Sequence, residues 1–153
     1  MSKSLAERDK IHNAGLSPGL SIRTSEGKWV DFGPGVQMQL LRTSAETGQW
    51  SGLFKCAAGS VVPRHEHLGS AEYLVLEGRV EVRGGLDEGG MVSIAGDYVY
   101  EPNGVIHCAN WFVEDSLVFF TSQGAMKFLD EHDNVIFICD WRALRNMESG
   151  KKD

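Results

Sequence analysis

The chain has 153 residues, of which 42% are hydrophobic and 24% charged, with a formal net charge of −6 and a pI near 5.3. That length suits one globular domain with a substantial core. The acidic balance argues against a nucleic-acid partner, because phosphates need clustered cations to neutralise them, and the longest apolar run, Val135 to Cys139, is too short to cross a bilayer.

In chain order, the N-terminus carries Lys3, Glu7, Arg8, Asp9 and Lys10 and does not read as a secretory signal. Residues 1–35 form an expected N-terminal arm. In it, Ala6 to Asn13 can make a short helix that Gly15-Leu16-Ser17-Pro18-Gly19 breaks. Trp29, Val30 and Phe32 can lay this arm on the core or on a partner subunit. From Val36 the texture changes to short apolar runs separated by turn residues, and 36–147 is expected to be one all-β domain. The candidate strands are Val36–Arg42, Trp50–Lys55, Ser60–Val62, Glu72–Leu76, Arg79–Arg83, Met91–Ile94, Tyr98–Glu101, Leu117–Thr121, Met126–Leu129 and Val135–Cys139. Glu77-Gly78, Gly84-Gly85, Ala95-Gly96-Asp97 and Asn103-Gly104 supply turns between them. Only Trp141 to Met147 has helical spacing, followed by a tail over 148–153. Many short, evenly spaced strands indicate a sandwich or closed barrel. Cys56, Cys108 and Cys139 are odd in number and lack a Cys-x-x-Cys spacing, which fits a reduced, cytoplasmic protein.

The chemistry concentrates between Gly59 and Gly78, where His65 and His67 are separated by one residue. On a strand, residues i and i+2 share a face, so two imidazoles stand side by side while Glu66 points away. Pro63 discourages helix here, and Glu72-Tyr73-Leu74-Val75-Leu76 is rich in strand formers. A second stretch, Gly96 to His107, turns at Gly96, ends a strand at Pro102, turns again at Asn103-Gly104 and starts the next strand at His107. A histidine in that position lies at a strand end and can reach the mouth of a barrel.

Together these stretches resemble the paired motifs of the cupin superfamily. Gly59, His65, His67 and Gly78 fill the first motif, and Gly96, Pro102, Gly104 and His107 the second. The resemblance implies a double-stranded β-helix (jelly-roll) barrel with a short C-terminal helix and a metal inside. Counting back from Gly78 places the motif's glutamate at Ala71 rather than Glu72. A one-residue shift in a strand sends a side chain to the opposite face, so His65, His67 and His107 are the expected metal ligands. A bulge at Gly69-Ser70 would bring Glu72 back among them.

A closer resemblance runs from about Gln39 to Trp141. The segments QLLRTSAETGQW, FKCAAGS, GRVEVRGGLDEGG and FLDEHDNVIFICDW look like those of the β-diketone (acetylacetone-cleaving) dioxygenases, with cupins that cleave dihydroxyacetophenones as more distant relatives. This resemblance implies iron(II) on three histidines, with Tyr73, Arg83 and Glu101 as catalytic residues around it. Glu101 or Glu72 would deprotonate the diketone and Arg83 would orient the carboxylate. In the pocket, Val62, Val118 and Ser122 stand where the diketone enzymes have phenylalanine, and Asn110 where they have threonine, so the substrate is expected to differ from acetylacetone.

Three neutral imidazoles leave the full charge of a divalent ion uncancelled and about three of six octahedral positions open. That suits an enolate chelate plus dioxygen. Zinc on three histidines is an equally sound hydrolytic site, and nickel is a further possible occupant. The expected function is therefore an iron(II) cupin dioxygenase cleaving a C–C bond in a small β-dicarbonyl or hydroxyketone, with a small molecule and dioxygen as partners. The alternatives are a non-enzymatic zinc-binding cupin, like the sensor domains of some anti-sigma factors, or a metal-dependent hydrolase or isomerase on the same barrel. Strand edges and an apolar sheet face that need cover lead to an expected homodimer or homotetramer. Cys108, beside His107, is expected to point into the core on the other face.

Overall fold

Among the residues that the computed structural model describes (3–12, 14 and 19–151), short strands follow one another from Val30 to Cys139, with a helix at either end. In chain order they are α1 (Leu5–His12), β1 (Val30–Gly33), β2 (Val36–Thr43), β3 (Trp50–Cys56), β4 (Val61–Val62), β5 (His65–Leu68), β6 (Ala71–Glu77), β7 (Arg79–Val82), β8 (Met91–Ile94), β9 (Tyr98–Glu101), β10 (Ile106–His107), β11 (Asn110–Phe112), β12 (Ser116–Ser122), β13 (Ala125–Leu129), β14 (Val135–Cys139) and α2 (Trp141–Ser149). All ten expected strands are present. The expected end of the first helix at Asn13, and most of the Gly15–Gly19 break, lie outside the described residues.

Every strand pairing is antiparallel. One layer has the order β1-β2-β3-β12-β6-β9. The other consists of two four-stranded pieces, β10-β5-β13-β14 and β4-β11-β7-β8, which join through a common register. The pairing Ile106↔Glu66 and His107↔His65 continues without slippage into Asn110↔Val62 and Trp111↔Val61. β4 and β5 thus act as one long strand interrupted at Pro63-Arg64, and β10 and β11 as its partner. Two such layers make a jelly roll, as the resemblance to cupins implies.

Period-two alternation decides what lies between the layers. Trp50 and Met38 are fully buried, and Val75, Val80, Val82 and Phe112 join them in one core. Each large apolar side chain buried in this way contributes roughly 1.5–3 kcal/mol. Trp50 also has its polar atom satisfied, because Nε1 donates to the Gly124 carbonyl at 3.0 Å. The glycine closing the first motif is sterically required. Gly78 has φ 85°, and a Cβ there would lie 2.4 Å from the Asp115 carbonyl oxygen.

The arm contributes more than expected, because β1 pairs with β2 at the edge of the first layer. Phe32 enters the chain's own core, edge-on to Phe54 at 5.1 Å and to Phe128 at 6.4 Å. Lys55 Nζ lies 4.1 Å from the centre of the Trp29 ring. At the other end, Asp140 Oδ1 caps α2 by accepting from the backbone N–H groups of Arg142 and Ala143, each at 2.9 Å. Leu144 buries the inner face of that helix. No helix among the described residues is long and apolar enough to cross a membrane.

Candidate metal centre

β5 presents His65 and His67 to the interior and turns Glu66 outward, where it pairs with Lys127 on β13. β10 brings His107 directly opposite His65. The loop before His107 is stitched to the same strand: His67 N–H donates to the Val105 carbonyl at 3.0 Å, and Gly104 N–H donates to the His67 carbonyl at 2.8 Å. Gly104 has φ 82°, a conformation that favours glycine. The motif's Pro-x-Gly-x-x-His spacing thus becomes a turn that returns the third histidine to the first two.

All three imidazoles are buried, and each offers a ring nitrogen within 4.8 Å of the other two. His65 Nδ1 lies 2.8 Å from the Pro63 carbonyl. A carbonyl can only accept, so this nitrogen carries the proton and Nε2 keeps its lone pair. That lone pair faces His67 Nε2 at 3.2 Å. Burial pushes His65 down to about 4, so it is neutral at ordinary pH and available as a ligand.

Glu101 completes the cluster. Its Oε2 lies 3.1 Å from His67 Nε2 and its Oε1 3.1 Å from His107 Nε2. Burial alone would raise this carboxyl, but the His107 and His67 imidazoles outweigh it and hold the group at about 2. The contacts are short yet lack hydrogen-bond alignment. Both Glu101 oxygens and His107 Nε2 are buried without a hydrogen-bond partner among the described residues, and such orphaned groups are costly in a folded protein. Two ligand atoms about 2.1 Å from one cation and at right angles to each other lie about 3.0 Å apart. The observed 3.2 Å separation of His65 Nε2 and His67 Nε2 matches that edge length. The donor set fits a divalent cation.

The register at Ala71 holds as expected. Ala71 is buried and Glu72 is exposed, with its Oε1 accepting from the Tyr98 hydroxyl at 2.8 Å. No bulge at Gly69-Ser70 turns Glu72 inward. Ala71 pairs directly with Glu101 on β9, so the carboxylate near the histidines comes from the neighbouring strand. Glu72→Gln is accordingly expected to leave bound metal unchanged, as elemental analysis of the purified variant will show.

Residues 18–127 match the family described as the ChrR cupin-like domain. The chain belongs to that cupin family. This cupin is 35% identical over 125 residues to the acetylacetone-cleaving enzyme of Acinetobacter johnsonii, a match covering 78% of this chain and 82% of that one. It is similar in structure to the acetylacetone dioxygenase of the same organism, with a TM-score of 0.80 at 32% identity over 90% of this chain and 94% of the other. The fold is shared with the anti-sigma factor ChrR of Rhodobacter sphaeroides, solved with SigE, at a TM-score of 0.54 and 24% identity, covering 65% of this chain and 50% of that one.

The other site residues expected from the sequence divide into two groups. Tyr73 is buried on β6, and its phenol is pushed up by burial and then by the nearby Glu101 charge. Arg83 is not brought to the cluster, which corrects the expected trio. It is exposed on the turn after β7 with φ 52°, lines a surface groove with Glu81, Cys108 and Trp111, and forms no side-chain ion pair or hydrogen bond among the described residues. The reason is alternation: Val80 and Val82 take the inward places on β7, which leaves odd-numbered neighbours facing out. Cys108 does turn away from His107 but is exposed, 3.5 Å from Arg64 Nη1, and is not a core residue.

Beside the metal centre lies a cavity of about 60 Å³ lined by Phe32, Trp50, Phe54, Phe112 and Phe120 together with His65, Tyr73, Asn110, Val62 and Val118. Ser122 is fully buried and donates to the Gly124 carbonyl at 2.8 Å instead of lining this space. The sequence reading missed Phe120, which stacks on Tyr73 with centroids 6.4 Å apart. It also missed Phe128, 5.5 Å from the His65 ring. The signal for Phe120 was present, because it alternates with Val118 and Ser122 on β12.

Proposed function

We propose that this cupin is an iron(II)-dependent dioxygenase that cleaves a C–C bond in a small β-dicarbonyl or hydroxyketone. The observation that carries this reading is the buried three-histidine cluster opening onto an aromatic cavity. The similarity to an acetylacetone-cleaving enzyme over most of the chain supports it. His65, His67 and His107 would hold the metal. Bound iron(II) supplies positive charge for an enolate and the redox chemistry that dioxygen requires.

The protein's own residues supply the rest. Glu101 accepts the proton from the carbon between the two carbonyls, since it is the buried carboxylate nearest the histidines. The adjacent imidazoles keep it ionised, which is the form that can accept a proton. Tyr73 and Phe120 form one wall against which a planar enolate can lie, and the other rings exclude water. Arg83 takes no part. The test is oxygen uptake by protein reconstituted with iron(II) and, separately, with zinc. Uptake with iron alone supports the reading, whereas tight zinc binding without uptake on either metal replaces it with the metal-sensor reading.

We also propose a homo-oligomer, a dimer or tetramer. β14 is an edge strand with Val135, Ile136, Phe137 and Ile138 all exposed, and an uncovered apolar edge favours pairing with another chain. Because Phe32 is packed in its own core, the arm is the weaker candidate for the contact. Light scattering is expected to give a mass at least twice the chain's 16.8 kDa, and a monomer mass at micromolar concentration would refute this.

A further inference from the structure

The cavity wall is nearly all ring and aliphatic surface, with one uncharged amide set into it. Asn110 lies on β11 between Val62 of β4 and Val82 of β7, so its side chain shares their inward face. Its Oδ1 is buried and has no hydrogen-bond partner among the described residues. A buried carbonyl oxygen normally has a partner, and leaving one unpaired is destabilising. No group among the described residues pairs with this oxygen. His65 lines the same cavity, so a molecule held beside the histidines would share that space with Asn110.

We infer that Asn110 is a specificity-determining residue that accepts a hydrogen bond from a donor on the substrate's substituent, and that the substrate is an aryl β-dicarbonyl bearing a phenolic O–H. The inference rests on the dioxygenase reading above and names its substrate class. The aromatic lining favours a flat ring by dispersion and edge-to-face contact, and the orphaned oxygen favours a ring that carries a donor. A site built to pair with a hydroxyl discriminates strongly against the analogue without it, because that analogue leaves the protein's polar group unpaired. An aliphatic diketone would leave both the rings and the amide unused.

The experiment compares 1-phenylbutane-1,3-dione with its 3-hydroxyphenyl and 4-hydroxyphenyl analogues on the iron-loaded full chain. Both kcat/KM from oxygen uptake and Kd from calorimetry under anaerobic conditions are measured. The unaltered protein is expected to prefer one hydroxyl-bearing analogue by about 10- to 100-fold in both quantities. Asn110→Leu should bring that ratio to near one, and Asn110→Asp, which keeps an acceptor, should retain part of it, with iron content equal in all three proteins. A preference that survives Asn110→Leu overturns the inference, as does turnover of all three diketones without discrimination, and both outcomes leave the dioxygenase reading standing. Discriminating binding without oxygen uptake removes the dioxygenase reading and upholds Asn110. Failure to bind any of the three overturns both.

Discussion

His65→Ala, His67→Ala and His107→Ala are each expected to purify with almost no bound metal and no oxygen uptake. Each imidazole is one of three donors converging within 4.8 Å. Removing a partner that merely orients a ligand already costs 10- to 100-fold in metal affinity, so loss of a ligand itself should exceed about 100-fold. Competition with a coloured chelator measures this directly. The His65 variant is expected to fold, because the space left by its imidazole opens onto the cavity. Circular dichroism separates loss of metal from loss of fold. If any one of the three retains full occupancy, that histidine is not a ligand.

Glu101→Gln is expected to slow turnover by about 10²- to 10⁴-fold, the range typical of a lost general base, while most of the metal stays bound. The substitution preserves shape and one acceptor but cannot take a proton. The unaltered, iron-loaded protein should consume one dioxygen per β-dicarbonyl and release a carboxylic acid and an α-dicarbonyl fragment. Both oxygen atoms are accounted for in those products, so no external reductant is required. Should Glu101→Gln strip the metal as thoroughly as the histidine variants, its carboxylate is a ligand and the base lies elsewhere. Should turnover be unaffected, the proton is removed without it.

Most of the architecture and the three histidines were legible in the sequence because both depend on period two. His65 and His67 share a face for the same reason that Ala71 and Glu72 do not. The same rule applied to β7 would have placed Arg83 outside. There the reading followed the resemblance to a family, which aligns residues but does not check the face they occupy. Glu101 could be named from the sequence but not placed, since its nearness to His67 and His107 arises from the pairing of β9 with β6 across the sheet. The strand at Val30–Gly33 was read only as part of an arm, because it is stabilised by pairing with β2 rather than by its own composition. The exposure of Cys108 likewise depends on the break between β10 and β11, which no local pattern announces.

The unbroken register joining β4 and β5 to β10 and β11 has a consequence for the protein's lifetime. His65 and His107 face each other across this strand pair, and they are far apart along the chain. Little attraction for a metal exists until the pair has closed, so the chain meets the entropy of that closure before any metal can help. Metal uptake would therefore follow folding and act as a latch on the finished barrel. Its holding strength grows with the logarithm of free metal above the dissociation constant. A chain made under metal starvation would reach the same shape but reopen more readily, leaving β10 and its loop as early targets for proteases. Metal supply would then govern how much of this protein persists as well as how much of it is active.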